Sequence, residues 1–438
     1  MVLGEKFQPS LFGFDVRDFA RNDVLSYAKA ANARWVRAGD LLWSQVEKTP
    51  GVYDWSAAAN VEANIRRLRQ LGLEPMLVVQ QSPSWAQEVP GRLCSPPKAE
   101  YAAAFANFVA AAAARYSSGE TAVHYWEIWN EPDYRVSEVQ DIQGFGCWLN
   151  DSKPNLGGTY YGEVLQRIFP KVKAANPNAI ILAGAFAYEL PREQQTMTFL
   201  RGMLQSGAGN FDVLSFHAYG EGNAGDLLII KTLRLRQVLN EFGFTTTPLF
   251  ATETGATCFS LRSAVAGTCP SDFTTQQANY AARIYPQAIA LDLAGALWFS
   301  LVGSGSELLA NAQLIDDTGA NLQPRQAFHA FRNSARLLNG ARYIGDTLQE
   351  PAAEELNQVQ LLTFRKGKNL LYVFWVPTRP DFPLLAEIPV PIGAQARCTQ
   401  QLQLENAKTF YCPDNNLTDG YVYVGINEFP QYVEVLMP

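Results

Sequence analysis

A chain of 438 residues can bury a large core, and 47 % hydrophobic with 18 % charged residues excludes a disordered or fibrous polymer. A formal charge of −7 with no Lys/Arg-rich block removes the electrostatic footprint of a nucleic-acid binder. No apolar run approaches the roughly 20 residues a membrane-spanning helix needs, so a neutral ligand suits the composition better than a polyanion or a bilayer.

Apolar and amphipathic runs alternate from Leu11 to about Asn339. LFGFDV (11–16), RWVRAG (34–39), PMLVVQ (75–80), VHYWEIW (123–129), AIILAGAF (179–186), FDVLSFHAY (211–219), PLFATET (248–254) and GALWFSLV (295–302) read as strands. Helical periods run through 59–71, 99–115, 159–175, 194–205, 226–241 and 275–291. Strands apolar on both faces, each followed by a helix, predict a parallel sheet covered by helices. Eight such units predict an α/β fold, a (β/α)8 TIM barrel over residues 1–340, with its site at the C-terminal ends of the strands.

From about Tyr343 the helical period disappears. VQLLTFRKGKNLLYVFWVP (359–377) alternates around a turn at 366–369 and reads as a hairpin; LAEIPVPI, KTFYC, GYVYVGI and QYVEVLMP follow as short strands. A small C-terminal antiparallel β-sandwich over 341–438, docked on the barrel, is expected. Its Tyr372, Phe374 and Trp375 alternate as core packing would require, which favours a structural role for this region.

Six cysteines fall into three plausible pairs. Cys258 and Cys269 bracket a short loop, Cys398 and Cys412 bracket a hairpin, and Cys94 and Cys147 follow two strands expected to be neighbours. These pairs favour a secreted or extracytoplasmic protein; six free thiols in a cytosolic enzyme is the competing reading. The opening MVLGEKFQPS has no charged segment followed by an apolar one, so no signal peptide is read there. No C-x-x-C or H-E-x-x-H spacing supports a metal site, and no cofactor is expected.

The densest chemistry lies in WEIWNEPD (126–133). Pro132 cannot donate a ladder hydrogen bond, so it ends the fourth strand and leaves Asn130 and Glu131 at the barrel mouth. The seventh strand delivers Glu253 from the opposite side of the ring. Two carboxylates facing each other across a mouth are the equipment of glycoside hydrolysis, one to protonate the leaving oxygen and one to attack the anomeric carbon. His217 and Tyr219 at the end of the sixth strand are placed to hydrogen-bond Glu253, and Arg37 on the second could hold a carboxylate ionised. Glu127 is expected to be a buried structural carboxylate paired with Arg37 or a neighbour, and His124 a core residue. Asp40 and Asp133 read as solvated or capping loop carboxylates. Trp43, Trp85 and Trp129 are candidates for the cleft or its wall, with packing as the alternative.

The Asn130-Glu131-Pro132 strand end, the later Glu253, the His-Ala-Tyr of 217–219 and Trp298 in LWFS resemble the clan A glycoside hydrolases. Arg37, Trp43 and GVYDWS (51–56) resemble, within that clan, glycoside hydrolase family 39 and its exopolysaccharide-degrading relatives, with some similarity to family 42 β-galactosidases. The resemblance implies a retaining double displacement on a carbohydrate, with Glu131 as acid/base and Glu253 as nucleophile. It further implies Asn130 on the sugar 2-hydroxyl and Trp298 as a ring platform under the sugar, with Arg37, His217, Tyr219, Trp43 and Trp85 among the residues around the substrate. Two other readings stay open. One is a metal-dependent barrel ligated by Glu127, His124, Glu131 and His217, made thin by a chain with three histidines; the other is a carbohydrate-binding barrel without catalysis.

Overall fold

The computed structural model describes residues 10–16, 19, 23–139, 144–149, 157–220, 227–258, 269, 271–303, 311–319, 321–345, 360–376, 384–412 and 419–438. Parallel strands β1 (Phe12–Asp15), β2 (Trp35–Leu42), β3 (Glu74–Gln80), β4 (Tyr125–Ile128), β5 (Ile180–Phe186), β6 (Val213–Gly220), β7 (Leu249–Ala256) and β8 (Gly295–Phe299) close a barrel in chain order, β8 pairing back onto β1. Around it run α1 (Val24–Ala30), α2 (Trp43–Val46), α3 (Ala59–Gln70), α4 (Ala102–Arg115), α5 (Gly157–Ala175), α6 (Glu193–Gly207), α7 (Leu227–Glu241) and α8 (Phe273–Ala290). A hairpin of β9 (Ile315–Asp317) and β10 (Leu322–Pro324) precedes α9 (Gln326–Leu338). Among the described residues no helix is long and apolar enough to cross a membrane.

The pleat explains both the apolar strands and the position of the site. Residues facing the helices, such as Val36, Leu77, Trp126, Ile181, Leu214 and Ala296, join one continuous core with them. Residues facing inward fill the lower lumen with Trp35, Met76, Tyr125, Ile180, Leu182, Val213, Phe250 and Leu297. Gly13 makes room for this plug: a Cβ there would lie 2.5 Å from Leu297 and 2.6 Å from Trp35. Two residues further along β1, β2 and β4, the same inward face presents Asp15, Arg37 and Glu127. The lumen therefore changes from apolar to ionic toward the C-terminal strand ends.

His124 departs from its expected place in the core. It is partly exposed just before β4, where Nδ1 lies 3.0 Å from Glu74 Oε1 and 3.1 Å from Arg69 Nη2. Burial disfavours ionisation of Glu74, yet His124 and Arg69 outweigh it and lower its pKa.

The C-terminal region contains β11 (Arg342–Tyr343), β12 (Gln360–Lys366), β13 (Asn369–Trp375), β14 (Leu384–Pro389), β15 (Gln395–Thr399), β16 (Thr409–Tyr411), β17 (Tyr421–Ile426) and β18 (Gln431–Leu436). One antiparallel sheet has the order β11-β12-β13-β18-β15-β16, and β14 pairs with β17 in a second. Tyr372, Phe374, Ile388, Val422 and Val433 form the layer between them. Leu371, Val373, Trp375 and Tyr432 instead join the barrel core. Trp375 thus lies on the docking face rather than in the sandwich core, because it has the opposite pleat parity to Tyr372's neighbour Phe374. Tyr432 donates to the Ala282 carbonyl of α8 at 3.1 Å, and Asn333 of α9 donates to the Leu402 carbonyl at 2.8 Å.

Disulfides join Cys94 to Cys147, Cys258 to Cys269 and Cys398 to Cys412, with Cα atoms 5.1, 5.2 and 5.0 Å apart. These are the pairs expected from the sequence.

Candidate active site

The ionic layer is organised by Arg37. Its Nε donates to Glu127 Oε2 at 2.7 Å, Nη1 donates to Asp15 Oδ2 at 2.9 Å and to Glu253 Oε1, and Nη2 donates to Asn130 Oδ1 at 2.6 Å. The residue is 1 % exposed, a burial that by itself would weaken its charge. The fields of Glu127, Glu253, Asp15 and Asp40 override that penalty and hold its pKa well above the ordinary arginine value. Glu127 is therefore the buried structural carboxylate expected from its depth in β4.

Glu253 is held from a second side. Tyr219 OH donates to its Oε2 at 2.5 Å. Burial, followed by the Glu253 charge, raises the tyrosine pKa well above its ordinary value, so the phenol keeps the proton it donates. A register shift between Phe216 and His217 where β6 meets β7 sets His217 directly beside Glu253 in the ladder.

Glu131 occupies a different environment, with no guanidinium bonded to it among the described residues. Its Oε1 lies 2.8 Å from His217 Nδ1, and its buried Oε2 makes no hydrogen bond among the described residues. The expected partner of His217 was Glu253; that distance is 3.6 Å, so the imidazole serves chiefly Glu131. Burial, then the charges of Glu253, Asp133 and Glu189, push the Glu131 pKa well above the ordinary carboxylate value, while Arg37 opposes them weakly. Burial and the surrounding carboxylates thus favour the protonated form of Glu131 more than in an ordinary carboxyl.

The two glutamates also stand close. Ligand atoms of Glu131, His217 and Glu253 all lie within 4.8 Å of one another. Two carboxyls this near each other belong with the close arrangement of retaining glycosidases, about 5–5.5 Å, rather than the wider one of about 6.5–9.5 Å that admits a water between them.

Residues 4–284 match the family model described as cellulase (glycosyl hydrolase family 5). The chain belongs to this glycoside hydrolase family. It is a retaining glycosidase of clan A, as the Asn-Glu-Pro strand end and distant glutamate imply. A family 39 glycoside hydrolase from Bacteroides cellulosilyticus WH2 is similar in structure, with 18 % identity, coverage of 100 % of this chain and 82 % of that one, and a TM-score of 0.71. A conserved exported protein from Bacteroides fragilis is similar at 13 % identity, covering 98 % of each chain with TM-score 0.65. A family 30 subfamily 8 xylanase from Clostridium acetobutylicum follows at 12 % identity, covering 98 % of this chain and 96 % of that one with TM-score 0.63. No curated protein matches the chain.

Several expected positions of this glycosidase differ. Trp298 faces the helices, fully buried, with its ring against Tyr280 and Nε1 donating to the Ala312 carbonyl at 2.9 Å. The inward ring at that strand end belongs to the next residue, Phe299, whose centroid is 6.2 Å from that of Tyr219. Trp43 is buried against Phe105 and Phe108, while Trp85 is partly buried against Trp43 and Tyr101. Both indoles donate to Glu47, Trp43 to Oε2 at 2.5 Å and Trp85 to the carbonyl at 3.0 Å, so they form a packing cluster beside the barrel. Trp129 is likewise buried, between Phe105 and Trp148. Asp133 is neither solvated nor a helix cap: it is 3 % exposed and accepts from Ala187 N at 3.0 Å, Tyr188 N at 3.3 Å and Thr196 Oγ1 at 2.6 Å. Burial raises its pKa against those hydrogen bonds. The four residues of the metal reading do not converge, since Arg37 engages Glu127 and the Glu74–Arg69 pair engages His124. Asp15 and Phe299 were the site residues missed. Asp15 carried a signal, a carboxylate inside the apolar run LFGFDV.

Proposed function

We propose that this glycosidase cleaves β-linked oligo- or polysaccharides by double displacement, with Glu131 as acid/base and Glu253 as nucleophile. The observation that carries the reading is the contrast between the two carboxyls: Glu253 is held by Arg37 and Tyr219, whereas Glu131 is buried beside negative charge and, among the described residues, is bonded by an imidazole and by no guanidinium. Arg37 and Tyr219 fix Glu253 for attack on the anomeric carbon. Glu131 donates its proton to the departing oxygen, and a glycosyl ester forms on Glu253. Ester formation removes the Glu253 charge, so Glu131 becomes a stronger acid and can then act as base toward the incoming water. Asn130, its amide oriented by Arg37 on one side and by the Gly144 carbonyl at 2.6 Å on the other, stands beside Glu131 for the sugar 2-hydroxyl. Phe299 takes the place at the sugar face first given to Trp298. Arg37 is committed to carboxylates and Asn130, which favours a neutral sugar.

We further read residues 1–340 as the catalytic module and 341–438 as an accessory module with a structural role. Three disulfides and the likeness to an exported protein support an extracytoplasmic site of action.

The test is a hydrolysis screen of aryl β-glycosides and of plant and bacterial polysaccharides, followed by proton NMR of the first product formed. An initial β-anomer from a β-glycoside supports double displacement; an initial α-anomer would overturn it. Product lengths separate exo from endo cleavage.

A pH experiment examines the proposed division of labour. Hydrolysis needing acid assistance should decline as pH rises through the elevated Glu131 pKa, because the proton is lost there. Replacing Glu253 with glutamine removes the charge that opposes Glu131 ionisation, so a 13C NMR titration should show the Glu131 pKa falling. A value unchanged or higher in Glu253→Gln would contradict the coupling.

A further inference from the structure

The connection after β4 returns to the site as residues 144–149. Gly146 lies directly behind the Asn-Glu pair: a Cβ there would fall 2.6 Å from the Asn130 carbonyl oxygen, 2.7 Å from the Trp129 ring and 2.9 Å from the Glu131 carbonyl oxygen. The atoms met are mostly main chain, so they could yield only by moving the residues that carry the chemistry. On either side of Gly146 the segment is bonded to the same strand end. Asn130 Nδ2 donates to the Gly144 carbonyl at 2.6 Å, Trp148 N to the Pro132 carbonyl at 3.1 Å and Leu149 N to the Tyr134 carbonyl at 3.1 Å. Between them the Cys94–Cys147 bridge fixes the segment to the β3–α4 connection, reinforced by Cys147 N donating to the Cys94 carbonyl at 3.0 Å.

The strand end so gripped has unusual backbone. Trp129 and Glu131 adopt φ of 70° and 48°, a left-handed conformation that residues with side chains hold only where their surroundings impose it. Glu131 N donates to the Ala185 carbonyl at 3.0 Å, so the residue is held by β5 on one side and by the 144–149 segment on the other.

We propose that residues 144–149, strapped down by Cys94–Cys147, form a clasp that keeps Asn130 and Glu131 aimed at the substrate, with Gly146 as a positioning residue. The inference rests on the reading of Glu131 as the acid. A clasp that slips should harm chiefly the step that requires a well-placed proton donor. Substrates whose leaving group needs protonation should therefore suffer more than those whose leaving group departs unaided.

The experiment measures kcat/KM for 2,4-dinitrophenyl and 3,4-dimethylphenyl β-glycosides of the sugar cleaved in the screen, in wild type, Gly146→Ala and Glu131→Ala. For Gly146→Ala the dimethylphenyl value should fall by at least about tenfold, with the dinitrophenyl value within about threefold of wild type. If Gly146→Ala does not fold, the Cys94→Ser/Cys147→Ser double variant, which unties the strap without adding volume, is read by the same ratio. Equal losses on both substrates, or none, overturn the clasp. If Gly146→Ala is flat while Glu131→Ala is selective, the clasp alone fails. If Glu131→Ala is itself unselective, the acid assignment fails and the clasp falls with it.

Discussion

Alanine at Glu253 is expected to lower turnover on the order of 10^5-fold or more, the scale on which enzymes respond to loss of a covalent nucleophile. The neighbouring carboxyls among the described residues are otherwise engaged. Asp15 and Glu127 are committed to Arg37 within the ionic layer, and in the mechanism proposed above Glu131 supplies the proton of the first step. The cavity left by Glu253→Ala would let a small anion reach the anomeric carbon from the nucleophile's side. Added azide should then yield the α-glycosyl azide from an activated β-glycoside in a single displacement. NMR of that product is the decisive measurement, since a β-azide or undiminished hydrolysis would remove Glu253 from the nucleophile's role.

Alanine at Glu131 is expected to behave differently in rate and in product. Loss of general acid and base catalysis should cost about 10^2–10^4-fold on unactivated substrates. A dinitrophenyl glycoside still forms the glycosyl ester, because its leaving group departs without a proton, and the block moves to the second step. Azide then attacks the ester from the face that water would use and gives the β-azide. Opposite azide anomers from the two variants would separate nucleophile from acid/base without any assumption about the sugar. Loss of hydrolysis in Glu131→Ala without recovery by azide would count against the assignment.

The fold was legible because a barrel strand is buried on both faces and so leaves an uninterrupted apolar run. PMLVVQ at 75–80 corresponds to β3 at Glu74–Gln80, and PLFATET at 248–254 to β7 at Leu249–Ala256. Orientation within such a run was harder to read. Trp298 and Phe299 are both apolar and adjacent, and nothing local says which faces the lumen; a one-residue difference in parity reverses the answer. The same ambiguity misplaced Trp375. Strand β15, QARCT, was legible only as one arm of the hairpin that Cys398 and Cys412 bracket, because it alternates exposed and buried residues and carries few apolar ones. Long-range electrostatics lay further beyond reach. His217 neighbours Glu253 in the sheet, yet it hydrogen-bonds Glu131, because the turn at Trp129 and Glu131 swings that side chain across to it. Asp133 looked like a surface carboxylate because its three donors come from residues 187–196, more than fifty positions later.

The position of β18 bears on how the protein is made. It follows every other strand of its sheet along the chain, yet it lies between β13 and β15 and sends Tyr432 into the barrel core beside α8 and α9. A ribosome delivering the chain in order leaves the part of those two helices that Tyr432 covers exposed until β18 emerges. Premature termination ahead of Gln431 would yield a protein with every residue of the proposed catalytic machinery but without the Tyr432 contacts to α8 and α9, leaving β13 and β15 unpaired along the edges β18 joins.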